Sequence, residues 1–457
     1  MNMESPRPIG YLNLLKTHRP FRNLWYGQVV SELGDWLNSI AIYSLILQLS
    51  GSGMAVATAM MAKLLPIFFV SPIAGVVIDR TSRKGVMILS DVLRFFIVLG
   101  FLFVDDKGDL WLVYTLVVLE ISMAGFFEPA RSAIIPSLIP RQHLVTANAL
   151  SGSTWSVMLA FGAALGGLVV AFFGIQTAFV LDAFTFLISA WFISRIPKSP
   201  EKTTKELEEH DQGGYKNFVE GIRYLRSQPI ILAFALLKSG LAVSGGVMTL
   251  IPLYANKLLT SPSAVSLWIG IMYFSRGLGA AIGPVLVRWL FGDSSRVLQS
   301  AISVGFFMGA ASFLFLANSD SLIGASVSIG LATLFGSIVW VYSSSLIHLE
   351  AEERFLGRIF SMEMGFLTLF MGISNWAVGY AVDNLELTLG TVALWMAGLF
   401  LVPGFLWAGF LLFAHDRLKQ GKCMTSVCPV DPSGFNPVPA TTRRGDVLLT
   451  RLRPGAD

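Results

Sequence analysis

The sequence predicts an all-α membrane protein: twelve transmembrane helices in two six-helix pseudo-repeats, with both termini in the cytoplasm. Three observations carry this expectation. The 457 residues are 54% hydrophobic and only 14% charged, against about a quarter charged in soluble domains, and mean hydropathy is +0.66. Apolar runs long enough to cross the hydrocarbon core, about 20 residues, recur twelve times. Lys and Arg are distributed in step with those runs, concentrated on one side of the membrane.

The runs lie near 24–50, 54–78, 85–104, 110–135, 146–173, 176–194, 229–256, 263–290, 297–317, 321–348, 357–382 and 388–413. In the first, Gln28, Ser31, Glu32, Asp35, Asn38 and Ser39 recur at helical spacing and draw a polar stripe. The second holds Lys63, and the third holds Asp91 and Arg94 three residues apart. Glu120 sits near the middle of the fourth, with Glu128 and Arg131 beyond it. The fifth carries the small-residue stretch GAALGG (162–167), and the sixth carries Asp182. Lys238 lies in the seventh run and Arg276 in the eighth. Trp340, Tyr342 and Ser343 lie in the tenth, which ends at His348, and Glu363 lies in the eleventh.

Charge sets the orientation. Of 33 Lys and Arg, Lys63, Arg94, Lys238 and Arg276 lie well inside runs, and Lys107 and Lys257 follow runs 3 and 7. The other 27 fall in the N-terminus, the tail, and the even-to-odd loops with their flanking run ends. The positive-inside rule then places both termini in the cytoplasm. The domain reading is a first half over 1–195, a charged linker over 196–228, a second half over 229–415 and a disordered cytoplasmic tail over 416–457. In the linker, Tyr215, Phe218, Val219, Ile222 and Leu225 recur at helical spacing among basic residues, which predicts a helix on the inner membrane surface. Residues 11–25 have the same character. The tail is rich in Pro, Ser, Thr and Gly without apolar periodicity. Its Cys423 and Cys428, the only cysteines, are expected to be solvated and reduced.

The halves echo each other at an offset of about 210 residues. GVVIDR (Gly75 to Arg80) is answered by GPVLVR (Gly283 to Arg288), and SAIIPSLIPRQHL (132–144) by SSLIHLEAEERFL (344–356). Parallel six-span repeats imply a transporter with its site between the halves.

The loop GVVIDRTSRK (75–84) places an acid among bases between two apolar runs. Positive-inside anchoring accounts for the bases but leaves Asp79 unexplained, since acids contribute little to orientation. The loop resembles the major facilitator superfamily signature G-x-x-x-D-[RK]-x-G-[RK]-[RK]. It supplies Gly75, Asp79, Arg80, Arg83 and Lys84, with Ser82 where the family has glycine. The resemblance implies a gate in which Asp79 docks at the start of run 11, near Gly357 and Arg358, in the outward-facing state. A carboxylate gains about 0.3–1 kcal/mol at a helix N-terminus. Asp91 and Arg94 are placed to extend that network.

FRNLWYGQVVSELGDWLNSIAI (21–42), FFEPARSAIIPSLIPRQHLVTANAL (126–150) and AFVLDAFTFLISAWFI (178–193) look like the bacterial drug and siderophore exporter branch, which includes macrolide-efflux and enterobactin-exporter relatives. This resemblance covers residues 10–415. GAALGG resembles the antiporter motif G-P-x-x-G-G with Ala163 in place of proline; Gly162, Gly166 and Gly167 would permit close helix packing.

The family architecture implies that runs 1, 4, 7 and 10 surround the central cavity. Asp35, Glu32, Glu120, Lys238, Trp340 and Tyr342, with Arg276 from run 8, are the candidate proton and substrate residues, because ionisable groups inside a membrane are costly. Two readings stand for Asp35: substrate or proton chemistry, and a structural pair with Lys63 at similar depth. Two also stand for Glu32 and Lys238: an inter-half pair that shuts one face, and independent roles. Asp182 and the Glu128/Arg131 pair read mainly as structural.

The leading expectation is a secondary exporter of amphipathic small molecules (drug, siderophore or secondary metabolite). It would work by alternating access with proton antiport, as a monomer in the bacterial inner membrane. An importer or lysolipid translocator on the same fold is the alternative, and a non-transporting sensor or scaffold is the alternative of another class. Its partners would be a small-molecule substrate, protons and the bilayer, with no nucleic acid. No G-x-x-x-x-G-K-[ST] loop, metal-ligand cluster or nucleophile motif appears, so neither an enzyme nor a cofactor or metal requirement is expected.

Overall fold

A backbone in lipid must satisfy its polar groups internally, so helices are the economical answer for so apolar a chain. The computed structural model describes residues 9–197, 223, 226, 228–292 and 294–425, the side chains at 71, 72, 79, 243, 353, 354, 357, 358, 361 and 413–425 excepted. Among the described residues every regular element is helical. A short helix α1 (Tyr11–Thr17) precedes α2 (Arg19–Ser50), α3 (Gly53–Arg80) and α4 (Arg83–Leu99), which ends in a 3-10 turn to Phe103. Next comes α5 (Leu110–Leu138). Helix α6 (Leu144–Val157) passes through a π turn (Met158–Gly162) into α7 (Ala163–Phe173), and α8 is Ile175–Ser194.

The second set begins with α9 (Pro229–Leu241), which joins α10 (Val247–Leu258) through a 3-10 segment. It continues with α11 (Pro262–Phe291), α12 (Ser295–Ala317), α13 (Leu322–Glu350), α14 (Glu353–Asp383) and α15 (Leu389–Thr425). Eleven helical stretches among the described residues are long and apolar enough to cross a membrane. Helix α2, at 32 residues, has the length, but its polar stripe dilutes its hydropathy.

The turns follow from local chemistry. Gly51, at φ +62°, closes α2 in the left-handed region, and the next residue, Ser52, caps α3 by accepting from the Ala55 N–H. Ser82, the departure from the signature loop, caps α4 by accepting from the Gly85 N–H at 3.3 Å. A hydroxyl cap thus replaces a glycine turn. Helix α15 continues ten residues beyond the expected end of the second half. The stretch HDRLKQGK contains several good helix formers. The surface-helix expectation at 215–225 lies outside the described residues except for Arg223, and the tail expectation lies outside them from 426 onward.

Both six-helix sets belong to one unit that ends at Ala408; Gly409–Thr425 belongs to a second. Within the first unit, α3 runs beside α14 and α7 beside α11. Close approach at the Gly51 end depends on small residues. A Cβ on Gly167 would stand 2.9 Å from Gly270 Cα and 3.0 Å from the Ser266 carbonyl oxygen. Ser266 also donates to Ser44 across the two sets at 2.8 Å. The opposite end is looser: a Cβ on Gly75 or Gly152 would meet nothing within 4 Å.

At that looser end Leu14 seats α1 in a core with Phe21, Leu24, Met87, Ile134 and Leu150. His18, at the start of α2, lies with Nε2 3.1 Å from His143 Nδ1. Burial, and then the neighbouring His143, push the His18 imidazole below its usual range. The folded protein therefore resists protonation there more than the unfolded chain does. The contact is intact above about pH 6.5 and weakens as pH falls through the lowered value. Hydrogen exchange over Tyr11–Thr17, corrected for intrinsic rates, is expected to accelerate from pH 7 to pH 5. An equal acceleration in His143→Gln would show that the histidine pair is not the cause.

Candidate transport site

The polar stripe of α2 turns into the first six-helix set and meets α4, α5 and α8. Asp35 forms a short ion pair with Arg94 Nη2. Arg94 also stands 3.7 Å from Glu120 Oε1, while Asn38 donates to Glu120 Oε2 at 2.8 Å. The Arg94 guanidinium lies 3.9 Å from the Phe186 ring centre, so an apolar face backs the cation. The Arg94 and Glu120 side chains are 4% and 3% exposed, whereas that of Asp35 is 38% exposed. Asp35 is thus the point at which a buried ionic cluster reaches open space.

Two further carboxylates, Asp91 and Asp182, are fully buried on α4 and α8. Gly34 makes room for Asp182, since a Cβ there would lie 2.3 Å from its Oδ1. Both Asp91 oxygens and Asp182 Oδ2 lack hydrogen-bond partners among the described residues. Any link from Asp91 and Arg94 to Asp79 of the signature loop lies outside the described side chains. Arg94 is tied to α2 and α5 because its long side chain reaches across the bundle interior.

Lys63 does not pair with Asp35; its ammonium donates to Ser39 and stands 5.4 Å from the Tyr43 ring centre. Nor do Glu32 and Lys238 pair. Glu32 accepts from Gln28 at 2.8 Å, and Gln28 accepts from Arg131, which also binds Glu128. Lys238 pairs with Glu363 Oε2 at 2.8 Å, donates to Ser344 at 2.7 Å and stands 4.8 Å from the Trp340 ring centre. Asp35 takes Arg94 rather than Lys63 within the first set, and Lys238 takes Glu363 from its own set rather than Glu32 from the other. Tyr342 is also corrected. It is buried and donates to the Pro284 carbonyl at 3.0 Å, so it faces α11 rather than the centre. Trp340 remains partly exposed.

In the signature loop, Arg83 donates to the Ala133 carbonyl at 2.6 Å, and Lys84 donates to the carbonyls of Ser194 and Ile196. These cations cap nearby helix ends in the first set. Arg80 is exposed. The proposed contact of Asp79 with Gly357 and Arg358 lies outside the described side chains. Gly162 and Gly166 pack against Trp36 and Leu37 of α2, and Gly167 against Gly270 of α11.

Comparison with known proteins agrees with this architecture. The Major Facilitator Superfamily family model matches residues 24–362. The chain belongs to the major facilitator superfamily. This superfamily member is 28% identical over 220 residues to the MFS-type transporter YfiS of Bacillus subtilis (strain 168), over 48% of this chain and 52% of that one, so the match spans about half of that relative. It is 26% identical to the putative bacilysin exporter BacE of Bacillus subtilis, over 83% of this chain and 92% of that one. With macrolide efflux protein A of Streptococcus pyogenes the identity is 25%, over 77% and 87%. A solved mutant of the nucleoside transporter NupG superposes with TM-score 0.66 at 14% identity, covering 85% of this chain and 99% of that one, a likeness of fold alone. The protein is a multi-pass membrane transporter.

One contact had no signal in the sequence. Asp383, the last residue of α14, accepts from Ser52 Oγ at 2.5 Å and from the Gly53 and Met54 N–H groups, both at 2.9 Å. It caps α3 across the two six-helix sets and favours the closed Gly51 end. Because the site is exposed, Asp383→Asn is expected to weaken closure by only about 1 kcal/mol. Maleimide labelling of Ser266→Cys, buried at the α2–α11 contact of the same end, should then accelerate about fivefold in nanodiscs. Equal labelling rates with and without Asp383→Asn would remove the latch role.

Proposed function

We propose that this transporter exports amphipathic small molecules from the bacterial cytoplasm in exchange for protons. It does so across the inner membrane, as a monomer with twelve spans and both termini inside. The observation that carries the reading is Asp35, a carboxylate exposed to open space yet paired with a buried arginine. Taking up a proton there releases Arg94 to Glu120, and losing it restores the pair. Proton occupancy and helix position are thereby coupled. The exporter names of two relatives that align over most of their length support the outward direction.

The charge pattern supports the tight Gly51 end lying outside and the loose Gly75 end inside, and hence an inward-open state. Asp79 would engage α14 only in the opposite state. Amphipathic drugs and siderophores offered to energised inverted vesicles should accumulate, and a protonophore should collapse that accumulation. Proton-driven uptake by intact cells would instead make the protein an importer. Absence of movement across the whole panel would return it to a sensor or scaffold.

A further inference from the structure

Four basic residues lie well inside the spans, and their partners differ. Arg94 and Lys238 are neutralised by Asp35 and Glu363. Lys63 has only a hydroxyl, that of Ser39, as its hydrogen-bond partner. Arg276 on α11 has neither an ion pair nor a hydrogen bond among the described residues; its guanidinium stands 5.9 Å from the Tyr273 ring centre. A cation held within the membrane without a carboxylate is costly. Such a residue ordinarily lines a wet cavity or meets a ligand.

Lys63 and Arg276 come from opposite six-helix sets and flank one aromatic floor. The rings of Tyr43 and Tyr273 stack at 6.0 Å with 20° between their planes, bridging the two sets. Lys63 stands 5.4 Å from the first ring and Arg276 5.9 Å from the second. Trp36 extends the floor, 5.5 Å from Tyr273. Lys63 and Arg276 are each partly exposed, while both tyrosines are buried. Of the acids around Lys63, Glu120 and Asp35 both face Arg94, whereas Arg276 has no acidic partner among the described residues. A cationic solute would meet the Arg276 guanidinium, which no carboxylate offsets among the described residues, whereas a carboxylate would pair with it in a fork geometry.

We propose that Lys63 and Arg276 form an anion subsite shared by the two six-helix sets, and that the transported solute carries a carboxylate or similar acidic group beside a flat aromatic or apolar body. The inference rests on the transport reading and names the substrate class for that same site. Arg276 supplies the directional contact, and Lys63 supplies charge from the opposite wall. Their separation changes as the two sets rock, so the anion is held most tightly when both walls approach it.

The test compares two probes with the same ring and opposite charge, 2-naphthoate and 2-naphthylmethylammonium. Binding to the full-length protein in nanodiscs is followed by tryptophan fluorescence. Naphthoate is expected to bind and the ammonium probe to bind at least tenfold more weakly. Arg276→Gln should weaken naphthoate binding about tenfold, with Arg276→Lys recovering part of it. Lys63→Gln should weaken it less. Recovery in Arg276→Lys distinguishes a charge contact from misfolding, and thermal unfolding of each variant checks integrity. The subsite is overturned if the ammonium probe binds as well as naphthoate, if neither binds, or if Arg276→Gln binds naphthoate like the wild type. Failure of the transport reading looks different: naphthoate binds through Arg276, yet a pH gradient drives no solute across proteoliposomes.

Discussion

Asp35→Asn is expected to abolish accumulation of solute against its gradient while leaving downhill movement and equilibrium binding measurable. Asparagine keeps the size of the side chain and mimics its protonated state permanently. The partner change that links a proton to the bundle, Arg94 moving between Asp35 and Glu120, then has only one setting. Arg94 is buried and retains Glu120 at 3.7 Å, so the substitution removes coupling without leaving a cation wholly unpaired. Transport into proteoliposomes under an imposed pH gradient, together with binding to the same preparation, separates the two effects. Wild-type accumulation by Asp35→Asn would remove Asp35 from the coupling step. Glu32→Gln should be milder, because Glu32 is held by neutral Gln28 rather than by a cation that must be released.

Breaking the Lys238–Glu363 pair is expected to destabilise the second six-helix set severely. The two side chains are 4% and 0% exposed, and the second Glu363 oxygen has no partner among the described residues. Lys238→Met strands a buried carboxylate, and Glu363→Leu strands a buried ammonium beside Trp340. Each should lower stability by about 3–5 kcal/mol, whereas removing both charges together should recover most of the loss. Thermal unfolding of the two single variants and the double variant in one detergent measures the coupling. Additive losses would show that the pair makes no direct stabilising contact. Because α9 and α14 both belong to the second set, the pair ties helices together within that set and does not shut a face between sets.

Depth in the membrane was legible from residue order. A helix advances about 1.5 Å per residue, so the apolar runs locate the helices, and the positions of Asp35, Lys63, Arg94 and Lys238 along them follow directly. The signature loop likewise pointed to the superfamily, because its residues are contiguous in the chain. The polar stripe of α2 announced that one face of that helix turns away from lipid, and it supplies both Asp35 and Asn38 to the cluster.

Partner choice was decided only by tertiary packing. Depth offered Lys63 to Asp35 and Glu32 to Lys238, but packing pairs Asp35 with Arg94 and Lys238 with Glu363 instead. What separates them is the rotation of each helix about its axis and the neighbour it packs against, and both depend on side chains distant in sequence. The same holds for the cap that Asp383 places on α3, at a sequence separation of 331 from Ser52, and for the ring pair of Tyr43 and Tyr273. The bilayer restricts where a helix lies along its normal and what its surface must be made of, but it is nearly uniform around that normal. Azimuth, and with it every ion pair in the interior, is therefore set by the fit of one helix against another.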